Sequence, residues 1–131
     1  MNLNEYQEKA ITSKIYDDSV AIPYVVLGIC GETSELYEKI VEAIGYGDDA
    51  DLDLLSKETA DIIWYLAAWA EENGLMLEDI AKMSDSESNP TIADMMDDLI
   101  KYSGQIAEYS KKALRDDFED ISMGVYPASK M

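Results

Sequence analysis

The chain contains no histidine. That excludes imidazole-ligated zinc, Ser-His-Asp and Cys-His nucleophilic catalysis, and the Glu-x-x-His pairs of ferritin-like di-iron bundles. A single cysteine, Cys30, cannot close an internal disulfide, as expected in a reducing compartment. With no His or Cys partner, Cys30 reads as packing rather than chemistry. Positive charge is scarce: 10 Lys and Arg stand against 28 Asp and Glu, for a net charge of −18. Binding to nucleic acid or to an anionic membrane is therefore not expected, because phosphate contacts need Lys and Arg. The field would not steer a free anion inward either, so a phosphate-bearing substrate would have to meet a cation. No apolar run reaches the length of a membrane span, and the polar opening MNLNEYQEKA lacks a signal-peptide pattern. A cytoplasmic, soluble protein is the expectation. P-loop and dinucleotide-binding fingerprints are absent too.

What is present suits one all-α domain over residues 1–131. A hydrophobic content of 47% is ordinary for a globular core. The apolar spacing predicts helices over 2–16, 20–44 and 52–72, a short one over 75–83, and a further one over 90–115. An irregular tail is expected over 118–131. Asp17-Asp18-Ser19 supplies N-cap chemistry before the second helix, and Asn73-Gly74 stops the third. Thr91 and Asp94 stand at capping-box spacing at the start of the fifth. Core-facing positions expected on the second helix are Val26, Ile29, Cys30, Tyr37, Ile40 and Ile44. The third helix carries apolar residues on more than one side. A short first helix cannot cover both of those sides, so a partner chain is the expected cover, in a homo-oligomer.

The chain is organised around residues 31–61. Glu32 and Glu35 form one i, i+3 pair, and Glu58 and Asp61 form another. On a helix each pair projects from one face. Between them lies a helix-breaking turn, Gly45-Tyr46-Gly47-Asp48. Each pair lies about 13 residues from that turn, or ~20 Å along a helix. Two helices folded back as an antiparallel hairpin therefore bring all four acids to one level. Unpaired carboxylates there would repel and raise one another's pKa values. A hard divalent cation relieves this, and oxygen-only ligands suit Mg²⁺ or Mn²⁺. Gly31, next to Glu32, suggests close helix approach or ligand access.

Four other side chains are candidates for substrate contacts. Gln7 reads as a surface residue or as an amide that reads a ligand edge. Tyr65, one turn after Asp61, packs in the core or reaches a bound phosphate. Lys111 and Arg115, i and i+4 on the fifth helix, complement its C-terminal dipole or form a phosphate clamp, offered to a neighbouring subunit's carboxylates.

The order of these motifs resembles the MazG-type all-α nucleoside triphosphate pyrophosphohydrolases. Their mark is E-x-x-E, a spacer, then E-x-x-D. Here it stands as Glu32-Thr-Ser-Glu35, 22 intervening residues, and Glu58-Thr-Ala-Asp61. The flanking segments LNEYQEKA, LGICGETSELYEKI, KETADIIWYLAAWAEENGL and LEDIA are similar as well, so the resemblance covers residues 1–83. Residues 84–131 do not match the family's usual C-terminal segment. Where many members carry a further glutamate before the first motif acid, this chain has Gly31.

The resemblance implies a homo-oligomeric helical bundle, dimeric or tetrameric. It also implies Mg²⁺-dependent (or Mn²⁺-dependent) cleavage of a (d)NTP to (d)NMP and pyrophosphate, by water attack at the α-phosphorus. Carried over by position, Glu32, Glu35, Glu58 and Asp61 hold the metal, and Gln7 and Tyr65 face the ligand. Glu35 would orient or deprotonate the water, with Glu38 as an alternative. dGTP or GTP is the expected substrate, with deoxypyrimidine triphosphates open. Compact relatives occur in bacteriophages, where they trim nucleotide pools, and such an origin is plausible here. Two other function classes remain: an acidic, non-catalytic interaction protein that mimics DNA, and a nucleotide sensor. Buried acid pairs argue against the mimic, which needs its carboxylates spread over an exposed surface.

Overall fold

The computed structural model describes residues 1–45, 52–83 and 91–122, and every regular element among them is helical. Helix α1 (Leu3–Ile11) begins at a capping box. The Asn2 side chain accepts from the Glu5 N–H at 2.9 Å, and the Glu5 carboxylate accepts from the Asn2 N–H at 3.3 Å. The helix stops at Ile11, not at residue 16 as expected. The Thr12 and Ser13 hydroxyls donate back to the carbonyls of Lys9 and Ala10 at 2.6 and 2.7 Å. Such local bonds compete with the helical ladder. Asp17 then caps a 3₁₀ turn, Asp18–Val20, by accepting from the Ser19 N–H at 2.9 Å. That turn leads straight into α2 (Ala21–Gly45), whose first turn tolerates Pro23.

Helix α3 (Leu52–Glu72) ends at Gly74, which adopts a φ of 68°. The N–H groups of Gly74 and Leu75 reach back to the carbonyls of Glu71 and Ala70 at 3.1 and 2.8 Å. This is a Schellman stop, which glycine alone forms without strain. Helices α4 (Leu77–Met83) and α5 (Ile92–Ser122) follow. Thr91 and Asp94 exchange capping bonds of 3.0 and 3.1 Å, as expected. Helix α5 runs on to Ser122, so residues 118–122 are helical rather than irregular. The expected turn at Tyr46-Gly47-Asp48, the expected start of the fifth helix at Pro90 and the expected tail beyond Ser122 lie outside the described residues.

The most extensive helix pair is α2 with α3; α1 packs on α3 and α4, and α5 on α2. Val25, Ile29 and Leu36 of α2 and Ile62, Ala67, Ala68 and Ala70 of α3 are buried. The alanines keep α3 slim, so its neighbours can approach closely. Cys30, Tyr37 and Ile44, expected to face the core, are exposed instead. The buried positions on α2 are 21, 25, 29, 33 and 36, a stripe in which Cys30 has no place. The chain's own α5 supplies part of the cover expected from a partner. Trp69 Nε1 of α3 donates to Ser110 Oγ of α5 at 3.1 Å, and the Trp69 and Tyr109 rings meet edge-on at 6.3 Å. Nearer its N-terminus, α5 leaves an apolar groove of ≈ 890 Å³ against α2 and α3. No helix among the described residues is long and apolar enough to cross a membrane.

Candidate metal centre

Glu32 projects from α2 between Ile29 and Leu36, whose burial fixes the rotation of the helix about its axis. Glu58 and Asp61 project from α3, one turn apart, just ahead of buried Ile62. The three acids meet where the helices pack. Each offers a carboxylate oxygen, and these oxygens lie within 4.8 Å of one another. Glu58 is only 8% exposed. Glu32 Oε2 and Glu58 Oε2 are buried and have no hydrogen-bond partner. None of the ion pairs among the described residues reaches the cluster.

That arrangement is costly on its own. Two unit charges 4.8 Å apart repel by roughly 3 kcal/mol at an effective dielectric of about 20. The cost shows in Glu32, whose pKa is raised above the ordinary glutamate value. Burial is the main cause, followed by the charges of Glu35, Asp61 and Glu58 and by a hydrogen bond with Glu58. Buried carboxylates without partners are uncommon because desolvation is not repaid. The donor set consists of carboxylate oxygens, without nitrogen or sulfur, which fits a hard divalent cation such as Mg²⁺ or Mn²⁺. Three of the four acids picked out by spacing are thus brought together. The fourth, Glu35, is exposed and outside the close group, yet near enough to raise the Glu32 pKa. Glu38, a turn further on, is also exposed.

Two phenols border the cluster. Burial and a hydrogen bond with Tyr24, then the charges of Tyr24, Glu32 and Asp61, raise the Tyr65 pKa. The ring of Tyr65 lies over Gly28 of α2, where a Cβ would fall inside the ring's van der Waals envelope. The close helix approach expected at Gly31 therefore occurs at Gly28, and Gly31 faces open space. Tyr6 of α1 is raised first by burial and then by Asp61, which places its phenol on the Asp61 side. In the sequence Tyr6 falls with Leu3 and Ala10 on one helical stripe and reads as packing. The available signal was a phenol where an aliphatic side chain would serve.

Gln7 is neither on the surface nor facing a ligand. It is 1% exposed, and Nε2 donates to Glu71 Oε2 and to the Leu75 carbonyl, both at 2.9 Å. Its Oε1 accepts from the Leu77 N–H at 2.7 Å. The amide is thus a tie between α1, the end of α3 and the start of α4, with no hydrogen left for a substrate. Lys111 pairs with Glu108 at 2.9 Å, and Arg115 Nε with Asp116 at 3.5 Å. Both are exposed. Because α5 continues to Ser122, Lys111 lies about three turns before its end, too far in to complement the terminal dipole. Comparison of the chain with known protein families, with curated proteins and with solved structures finds no match.

Proposed function

We propose that this chain is a divalent-cation-dependent nucleoside triphosphate pyrophosphohydrolase, cleaving a (d)NTP to (d)NMP and pyrophosphate in nucleotide-pool control. The observation that carries the reading is the triad of Glu32, Glu58 and Asp61, with its two buried, unpartnered oxygens. The order and flanks of the four acids, which resemble the MazG-type enzymes, supply the substrate class. In this reading α2 and α3 form the antiparallel hairpin of such a bundle, and the bundle is a homo-oligomer. A guanine nucleotide is the first substrate to try.

Glu32, Glu58 and Asp61 would hold Mg²⁺ or Mn²⁺, which when bound offsets triphosphate charge and acidifies water. The protein's own groups do the rest. Glu35 sits at the exposed edge of the triad, where its carboxylate can accept the proton of the attacking water. The Tyr6 phenol can donate a hydrogen bond to a phosphate oxygen, and the Tyr65 phenol can do so by exchanging its bond with Tyr24. Gly28 fixes the Tyr65 ring. Lys111 and Arg115 serve as a clamp for the triphosphate bound by another subunit.

The test is to incubate the protein with each common ribo- and deoxyribonucleoside triphosphate, with Mg²⁺ or Mn²⁺, and to separate the products. Monophosphate and pyrophosphate in equal amounts support the proposal and identify the base. Diphosphate with orthophosphate, or no turnover by folded protein, refutes it.

A further inference from the structure

None of the three acids lines the groove between α2, α3 and α5. Its wall on α5 carries Ile92, Met95, Leu99, Tyr102 and Ile106. With Tyr109 these residues alternate three and four apart, the spacing of a coiled-coil seam. The seam is only half used within the chain. Leu99 and Ile106 are partly buried, and Ser110 is fully buried, but Met95, Tyr102 and Tyr109 stay 45%, 52% and 62% exposed. From Ile92 to Ile106 the trough extends ~21 Å at the helical rise. That length suits a helix better than a compact ligand, and the Thr59 and Ser103 hydroxyls in the lining donate to carbonyls of their own helices. Asp98 is the one charged residue lining it.

We propose that a second copy of this chain docks its α5, antiparallel, into the groove. Antiparallel pairing about Gly104 sets Leu99 of one copy against Tyr109 of the other, and Tyr102 against Ile106. In the same register Asp98 of each copy comes opposite Lys112 of the other. A shift of one heptad either way sets Asp98 or Lys112 against Gln105 and loses the opposite charges. The helix that forms one wall of the groove thus also carries the apolar ridge that fills it, as a two-fold interface requires. The like net charge of −18 on each copy opposes association at long range, so added salt tightens the dimer. A basic partner peptide would show the opposite salt dependence. The proposal does not depend on the triad having any activity.

Sedimentation velocity over a range of protein and salt concentrations tests the stoichiometry. A dimer strengthened by salt is expected. Tyr102→Glu, at a half-exposed site where the fold should survive, is expected to raise the dissociation constant by about a hundredfold, tenfold at each of two symmetric contacts. Asp98→Lys should weaken the dimer, and adding Lys112→Asp should restore it. In a Cys30→Ser background, Gln105→Cys should cross-link two chains under mild oxidation, while Asp97→Cys, on the outer face, should not. A monomer at the highest soluble concentration overturns the proposal, and its uptake of an apolar dye would then favour a small apolar ligand. A dimer indifferent to Tyr102→Glu and to the charge swap also overturns it, by placing the interface elsewhere.

Discussion

Replacing Glu58 by Gln removes one charge from the triad and keeps the size of the side chain. In metal-free protein the change should stabilise the fold, because it relieves repulsion from Glu32 and Asp61 within 4.8 Å. Each such pair costs roughly 3 kcal/mol before solvent screening and partial protonation reduce it, so a net gain of about 1–3 kcal/mol is expected. Divalent cation should reverse the order. At about 100 times its dissociation constant, a ligand bound only by the folded state adds about 2.7 kcal/mol. For 131 residues, with an unfolding entropy of roughly 2.1 cal/mol/K per residue, that raises Tm by about 10 °C. The assay is thermal unfolding followed by circular dichroism, in chelator and in Mg²⁺ or Mn²⁺, for wild type and Glu58→Gln. The wild type should gain most of that rise, and the variant little of it. A variant that is less stable in chelator, yet shows the full cation-dependent rise, would refute the argument. Glu58 would then be an ordinary buried acid with a partner.

Further outcomes follow from the same geometry. Glu32 has a folded-state pKa above its ordinary 4.5, so in chelator its contribution to stability is fully present below 4.5 and is lost as pH rises through the folded value. The Tm difference between wild type and Glu32→Gln should therefore turn against wild type over that window; a difference independent of pH contradicts the assignment. Gly28→Ala should cost about 1–3 kcal/mol by overpacking against Tyr65. Gly31→Ala, facing open space, should gain about 0.5–1 kcal/mol of helix propensity; denaturant titration of the pair checks both signs. Gln7→Leu removes three hydrogen bonds and leaves the part-buried Leu77 N–H without its partner, at a cost of about 2–4 kcal/mol. Hydrogen exchange should speed up first at the start of α4, and the Michaelis constant for nucleotide should hardly change.

Much of the fold was legible because α2 and α3 are long and strongly periodic, and their acids interrupt that pattern at matched distances from a glycine pair. The spacing of Glu32, Glu58 and Asp61 was therefore readable without knowing any contact. What could not be read depended on which faces meet. Gly28 and Gly31 look alike in sequence, and only the position of the Tyr65 ring distinguishes them. Tyr6 feels the charge of Asp61 because α1 packs on α3, a tertiary fact. Gln7 looked polar and therefore exposed, yet it satisfies the chain reversal after Gly74. The early end of α1 was written in Thr12 and Ser13, whose hydroxyls outcompete the next turn. The length of α5 was missed for the opposite reason: from Leu114 to Ser122 no Gly or Pro interrupts it.

The most direct test of the central claim is to run the reaction in heavy-oxygen water and locate the label by mass spectrometry. Attack at the α-phosphorus predicts one heavy oxygen in the nucleoside monophosphate and none in the pyrophosphate. Label in the pyrophosphate, or release of labelled orthophosphate with a nucleoside diphosphate, would contradict the account.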